Sequence, residues 1–340
     1  MIYAETLHPQ TRGFGWRWWH EGRITEEVKI AQGRELTQAF LHSPIRRTIE
    51  QGLTLRRRLD AAPSTCPLQE ELQSDGCKAY LAMALNCINR RYPIVVWGTD
   101  RIDGFNDSET ALLEEIRPAL SAVIQVLAML RTALGLFSIY LDHEVGQRVM
   151  DGQVMRGHTD SVNAVIMAAD LRGFTSLSNR LPAEQVIGIL NDFFETVVSS
   201  VTTHGGNVLK FIGDGVLAMF GTNGAPDQAA AREALSATRK ILTEMAAYEL
   251  EGGLRVGIGL HVGTVMYGNV GSADRLDFTV IGPAVNRAFR LEALTKQLGC
   301  PVLTSRAFAD ASGESLVSLG LLSIRGLDEP EEVFGLPEHT

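Results

Sequence analysis

Hydrophobic and polar positions alternate with period two from Gly13 to Trp19, where Phe14, Trp16 and Trp18 share one face, and a second strand-like run covers Thr25 to Ile30. Ser43-Pro44 then sets a capping residue before a proline suited to a first helical turn, and Ile45, Ile49 and Leu53 recur at helical spacing. Ala79 to Leu85 and Pro93 to Thr99 are predicted strands. The segment FNDSETALLEEI opens a long helix, capped by Asn106 or Asp107, with acidic residues in the first turn where the helix dipole favours them. From Leu134 to Arg156 the pattern is amphipathic in places and broken by glycines, which predicts a helical connector.

Beyond Ser161 the periodicity sharpens. Val162 to Ala169 is a buried strand, and Pro182 to Thr203 a helix with Val186, Leu190, Phe193, Val197 and Val201 on one face. Asn207 to Ile212 and Val216 to Phe220 are strands joined by a tight turn at Asp214-Gly215, followed by a helix from Asp227 to Tyr248 and a strand from Leu254 to His261. This βαββαβ order is that of a ferredoxin-like split βαβ sheet, an α+β fold. Its first two strands run parallel through a right-handed crossover helix and the third returns between them. The end of the first strand and the second hairpin turn therefore meet at one edge, bringing Asp170 and Asp214 together. Paired carboxylates suit hard divalent cations, which keep water and phosphate oxygens in their other positions. Just after Asp170, Gly173 permits close backbone approach, and the turn through Phe174 and Thr175 offers free N–H groups of the kind that bind phosphate. Taken singly, Asp170 is an ordinary helix cap and Asp214 an ordinary turn residue; together they form the candidate site.

With 340 residues, 45% hydrophobic and 21% charged, the chain is long enough for two cored domains. The net charge of −9, with arginines clustered only at Arg56, Arg57 and Arg58 and no basic stripe interleaved with aromatics, argues against a nucleic-acid partner. Cys66, Cys77, Cys87 and Cys300 form no CxxC pair, so neither a zinc site nor a disulfide framework is expected and a reducing, cytoplasmic setting fits. The opening MIYAETLHPQ lacks the features of a secretion signal. Gln125, Arg131 and Gly135 interrupt the apolar stretch from Ala119 to Leu141, and a mid-span arginine costs roughly 2.5 to 3.5 kcal/mol in a bilayer, so no membrane span is expected. Trp16, Trp18 and Trp19 read as core packing ahead of a pocket lining, His143 as a solvated helix residue, His204 as a helix exit and His261 as structural.

The strings AADLRGFTSLS, NVLKFIGDGVLAMFG, GIGLHVGTVMYGNVG and FTVIGPAVNRAFRLE resemble, in order and spacing, the four core motifs of class III adenylate and guanylate cyclases, over Asp160 to about Leu336. The resemblance implies that Asp170 and Asp214 are metal-binding aspartates, with the Leu171 carbonyl completing one shell. It likewise implies that two divalent metal ions, Mg2+ or Mn2+, act as cofactors. Lys210 and Thr279 match the two base-reading positions, Asn286 the residue that positions the ribose, and Arg290 the arginine that stabilises the transition state. Arg325, in LLSIRGLDEP, falls near a basic position that contacts the terminal phosphates. Residues four apart on a helix share a face, so Asn286 and Arg290 can address one ligand, and the planar guanidinium of Arg290 suits a phosphoryl group gaining charge. Its plain alternative is a surface helix arginine.

The implied reaction is attack of the ribose 3′-oxygen on the α-phosphorus with pyrophosphate leaving in line, at sites shared across a homodimer with head-to-tail catalytic domains. Lys210 with Thr279 departs from the lysine and aspartate pair common in adenylate cyclases and from the glutamate and cysteine pair of guanylate cyclases. A lysine can donate to an adenine ring nitrogen and a threonine hydroxyl accept from its amino group, which favours ATP. The threonine form also resembles a bicarbonate-responsive subgroup. Residues 93–130 resemble the later part of a GAF-type sensor domain, shortened at its start, which implies an unknown small ligand; the alternative is an α+β dimerisation domain without a ligand. The expected organisation is a GAF-like domain over 1–130, a helical linker over 131–157 and a catalytic domain over 158–340. Two other readings of the second domain stay open, a guanylate cyclase and a catalytically silent nucleotide-sensing module. A diguanylate cyclase would carry a GG[DE]EF turn where this chain has IGDGVL.

Overall fold

The computed structural model describes residues 2–5, 11–17, 26–31, 43, 46, 48, 52–60, 67–86, 93–140, 143–152, 155–221, 227–248, 254–272, 275–324 and 329–339. The chain divides into two compact units, Met1–Tyr140 and Leu141–Thr340.

The first unit holds an antiparallel sheet of six strands, β1 (Ile2–Glu5), β2 (Thr11–Arg17), β3 (Glu26–Ala31), β4 (Thr54–Arg58), β5 (Ala79–Ala84) and β6 (Ile94–Thr99), in the order β3-β2-β1-β6-β5-β4. Strand β5 is buried along its whole length, because both faces of the sheet are covered. Tyr80 and Ala82 pack towards Leu68 and Leu72 of helix α1 (Pro67–Ser74). Leu81 and Met83 pack towards Leu113, Leu120 and Ile124 of helix α2 (Asp107–Tyr140). Trp16 joins that second cluster, in line with a core role, whereas Trp18 and Trp19 lie outside the described residues. The helix expected after Ser43-Pro44 also lies mostly outside them, and Leu53 is exposed just ahead of β4. Strand β4, TLRRR, has no apolar alternation to announce it; it forms by pairing with β5, and its exposed arginines suit a sheet edge.

Helix α2 starts as expected. The Asn106 side chain accepts a hydrogen bond from the Glu109 N–H at 2.8 Å, and the Glu109 carboxylate accepts one from the Asn106 N–H at 2.9 Å, a reciprocal capping box. The helix then runs through Gln125, Arg131 and Gly135 to Tyr140, past the expected linker boundary, and its stretch Asp107–Phe137 is long and apolar enough by length and composition to cross a membrane. Within the unit, however, one face of α2 lies on the sheet. Arg131 there stacks its guanidinium 5.3 Å from the centroid of the Phe14 ring and 6.0 Å from that of Trp16.

The second unit opens with α3 (His143–Met150). Its sheet contains β7 (Thr159–Leu171), β8 (Asn207–Ile212), β9 (Gly215–Phe220), β10 (Val256–Gly271), β11 (Leu276–Ile281), β12 (Val302–Ser305), β13 (Val317–Leu322) and β14 (Glu331–Gly335). The order is β13-β14-β12-β10-β7-β9-β8, with β11 paired to β10. Strand β9 lies between β7 and β8 and antiparallel to both, which is the expected βαββαβ arrangement. Helices α4 (Phe174–Ser178) and α5 (Ala183–Thr203) follow β7, and α6 (Asp227–Ala246) follows β9. Val165, Met167 and Ala169 face Phe193, Val197, Leu235 and Ile241 of α5 and α6. Ala164, Ile166 and Ala168 face Ala284, Val285 and Ala288 of α7 (Pro283–Leu298). Fully burying each large side chain of these clusters contributes about 1.5 to 3 kcal/mol.

Two sequence expectations change here. The tight turn is Gly213-Asp214, since Ile212 pairs with Gly215, and Gly213 takes φ 63°, which a glycine adopts without strain. Strand β10 runs ten residues past His261 because it pairs with all of β7 and then with β11. Glycines keep its face low enough for α7 to dock: a Cβ at Gly259 would meet the Ala288 carbonyl oxygen at 2.2 Å and the Glu292 nitrogen at 2.4 Å. Gly259→Ala is therefore expected to lower stability by about 1 to 3 kcal/mol, read as a reduced denaturant midpoint with an unchanged slope. An unchanged midpoint would contradict this packing.

Candidate active site

The Asp170 carboxylate stands at the next-to-last position of β7, opposite Gly215 of β9 on one side and Gly257 of β10 on the other. Both neighbours lack side chains, which leaves room at the strand ends. The Leu171 N–H reaches the Asp214 carbonyl at 3.4 Å, so the β8–β9 turn closes against the end of β7 as the topology predicts. Asp170, Leu171, Gly173, Phe174, Thr175 and Asp214 line one open cavity of about 530 Å³. Gly173, at φ 76°, precedes α4 without any side-chain cap, so the backbone N–H groups of that turn front the cavity.

The electrostatics of this corner suit a cation. Burial, then the neighbouring Asp214 and Glu292 carboxylates, push the Asp170 carboxyl up from its ordinary 3.8 to about 6, against the pull of Arg172. Arg172 compensates little, because its guanidinium is 4.0 Å from Asp170 but only 2.8 Å from the Glu292 carboxylate and 2.7 Å from the Glu292 carbonyl, and it also donates to Thr295. Gly257 permits this crossing, since a Cβ there would lie 1.8 Å from the guanidinium. The Asp170 and Asp214 carboxylates together form a hard oxygen donor pair, which fits a divalent cation. Among the described residues no group of three or more His, Cys, Asp or Glu side chains could hold a metal, so the other ligands at this corner would be water or a phosphorylated substrate.

Three cations that the motif reading did not single out line the same cavity, namely Arg172, Arg180 and Lys296. Arg172 and Arg180 were visible as charges flanking Asp170 in sequence. Lys296 reaches the cavity from the far end of α7, which no local pattern announces.

The other predicted residues lie elsewhere. Lys210, Thr279, Asn286 and Arg290 do not line the Asp170 cavity. Thr279 pairs with Gly268, eleven residues along β10 from Gly257, the partner of Asp170, which is roughly 35 Å of strand contour. Glu292 of α7 faces Asp170, whereas Arg290, two residues earlier, is turned about 200° around the helix axis. Asn286 is exposed one turn before Arg290, as the shared-face argument requires. Lys210 of β8 forms an ion pair with Asp277, on the same face of β11 as Thr279, so the region around Lys210 and Thr279 also holds an acidic side chain. Arg325 lies outside the described residues. His261 is buried, with Nδ1 2.7 Å from the Ser305 hydroxyl, and burial followed by the charge of Arg287 pushes its pKa down to about 4, which marks a neutral core histidine. His204 caps the end of α5.

Residues 157–311 match the family described as the adenylate and guanylate cyclase catalytic domain. The second unit has the fold of a cyclase catalytic domain. An adenylate cyclase of Anabaena cylindrica is 36% identical over 188 residues, which is 52% of this chain and 37% of that protein. An uncharacterized protein of Mycobacterium tuberculosis is 33% identical over 224 residues, 64% of this chain and 41% of that protein. The chain thus spans about two fifths of the length of these relatives. Among solved structures, a bacterial light-regulated adenylyl cyclase superposes with a TM-score of 0.54 at 27% identity, over 66% of each chain. Within this unit, the Asp170 corner and the Lys210–Thr279 region lie at separate places on one chain.

Proposed function

We propose that the cyclase domain converts ATP to cyclic AMP and pyrophosphate at two equivalent sites, each built from the Asp170 corner of one subunit and the Lys210, Thr279, Asn286 and Arg290 region of the other. The observation that carries this reading is the separation of the two halves: strand contour and helix rotation set them apart on one chain, and a head-to-tail pair brings each opposite its complement. Asp170, Asp214 and the Leu171 carbonyl would hold the divalent ions, Mg2+ or Mn2+, which when bound supply charge neutralisation at the triphosphate and a lower proton affinity at the attacking hydroxyl. The Gly173–Thr175 turn, with Arg172, Arg180 and Lys296 around it, receives phosphate oxygens. Asn286 of the other subunit orients the ribose so that its 3′-oxygen lies in line with the α-phosphorus, and Arg290 stabilises the charge gained there.

Purified protein assayed with ATP and GTP, each with magnesium or manganese, tests the reading directly. Cyclic AMP formation that depends on the metal and exceeds cyclic GMP formation is expected. No turnover with either nucleotide would point to the silent nucleotide-sensing alternative.

The Lys210–Asp277 ion pair yields a sharper prediction about base choice. Lys210→Glu with Thr279→Cys places the residues of a guanylate cyclase, but the new glutamate faces the Asp277 carboxylate. Like charges in contact at an exposed site cost about 1 kcal/mol, so adding Asp277→Asn is expected to raise cyclic GMP formation roughly fivefold over the double variant. Equal rates in the double and triple variants would remove Asp277 from the base site.

Supporting proposals concern regulation. Thr279 favours a bicarbonate response, which unchanged activity on adding bicarbonate at fixed pH would eliminate. The first unit is read as a GAF-like regulatory domain for a small ligand, on the strength of its α+β sheet and its exit helix. Use of ATP and the free thiols of Cys77 and Cys300 fit a cytoplasmic catalytic domain.

A further inference from the structure

We propose that Glu292 is a positioning residue for the cation site: by holding Arg172 against α7 it keeps the guanidinium off the Asp170 carboxylate and leaves that carboxylate to a divalent ion. The inference rests on the reading of Asp170 and Asp214 as ion-binding residues, and adds to it the side chains that set how tightly the ion is held.

Arg172 follows Asp170 by two residues, the period that sets side chains on one side of a strand, so it is the nearest counter-ion in sequence. A fixed positive charge in contact with that carboxylate would compete with a bound cation for the same oxygens. The fold turns it away. Nη1 of Arg172 stands 4.0 Å from Asp170, beyond hydrogen-bond reach. Nη2 is taken by α7, where it lies 2.8 Å from Glu292 Oε1, donates to the Glu292 carbonyl at 2.7 Å and also donates to the Thr295 hydroxyl.

Three features make this a built contact. The Arg172 and Glu292 side chains are only 15% and 11% exposed, so solvent ions screen the pair little. Glu292 Oε1 is buried and has no hydrogen-bond partner among the described residues, which leaves the guanidinium as the charge that compensates it. Gly257, opposite Asp170 on β10, opens the path, since a Cβ there would run into the guanidinium. Glu292 also acts on Asp170 by its own negative charge, and that direct effect is distinguished from the restraint on Arg172 by removing the arginine.

Manganese binding to the full-length chain without nucleotide, read at pH 8 from the loss of the free-ion electron paramagnetic resonance signal, tests the proposal, with Asp170→Asn marking binding elsewhere on the chain. Glu292→Gln is expected to weaken binding roughly tenfold, because the released guanidinium moves from 4.0 Å towards contact with Asp170. Arg172→Met combined with Glu292→Gln is expected to bring binding back to within about threefold of native, since the competing charge is gone. Thr295→Val removes an anchor of Nη2 and leaves every charge in place; it is expected to weaken binding roughly threefold in the native chain and not at all beside Arg172→Met. Circular dichroism identifies the folded variants, and if Glu292→Gln unfolds, the Thr295→Val comparison decides alone. Equal weakness of Glu292→Gln with and without Arg172→Met would mean that Glu292 acts only by its own charge, and overturns the proposal. Native-like binding by either folded single variant, Glu292→Gln or Thr295→Val, overturns it as well. A native chain that binds manganese no better than Asp170→Asn would instead remove the ion-site reading, and the inference with it.

Discussion

Asp214→Ala and Arg290→Ala, each expected to lose at least about a hundredfold in cyclic AMP formation, should together recover about a quarter of native activity when co-expressed in equal amounts. Random pairing makes half of the dimers hybrid. In a hybrid, the native aspartates of one chain face the native Arg290 of the other, so one of two sites is whole, and the remaining site collects both defects. Geometry makes this a strict test: Asp214 lines the cavity beside Asp170, and Arg290 does not. Hybrids purified through two different tags yet inactive would sink the shared site. Full activity of either single variant would sink the residue assignment.

Asp170→Asn should abolish turnover and at the same time make the metal-free protein more stable at pH 8. The sign follows from proton linkage. Asp170 holds its proton up to about pH 6 in the folded chain, mainly because it is buried and secondarily because Asp214 and Glu292 are near, whereas the ordinary value is 3.8. Between those values the folded state binds more protons than the unfolded one, so stability is full below about pH 4 and declines as pH rises through about 6. Asparagine removes that decline. With the carboxylate about one-third exposed, screening reduces the effect to about 1 kcal/mol, a rise of roughly 2 to 4 °C in melting temperature at pH 8 and none at pH 4. Magnesium should raise the melting temperature of the native chain and leave that of the variant unmoved. Identical pH profiles for the two proteins would mean that the corner is not a strained carboxylate pair.

Much of the second unit was legible in the sequence. The order β7-α5-β8-β9-α6-β10 and the meeting of Asp170 with the β8–β9 turn follow from periodicity and from the handedness of strand crossovers, which leave few arrangements open. Less visible were elements whose partners are distant. Strand β4 is a run of arginines that exists because β5 offers hydrogen bonds beside it. The length of β10 depends on β7 and β11, and the turn beside Asp214 shifted by one residue because pairing register, not dipeptide preference, set it.

Sequence pattern alone was therefore enough for the arrangement of β7 to β10, the pair of acidic residues at its edge and the Asn286–Arg290 face, since period and spacing are properties of the chain itself, whereas β11 to β14 were not foreseen. Tertiary structure decided the rest. It showed that Arg172 is engaged by Glu292 and so leaves Asp170 under-neutralised, that Lys210 pairs with Asp277, and that one side of α2 is covered while the other is bare. Charge compensation and exposure depend on which distant segments come to lie against a residue, and no local pattern carries that information.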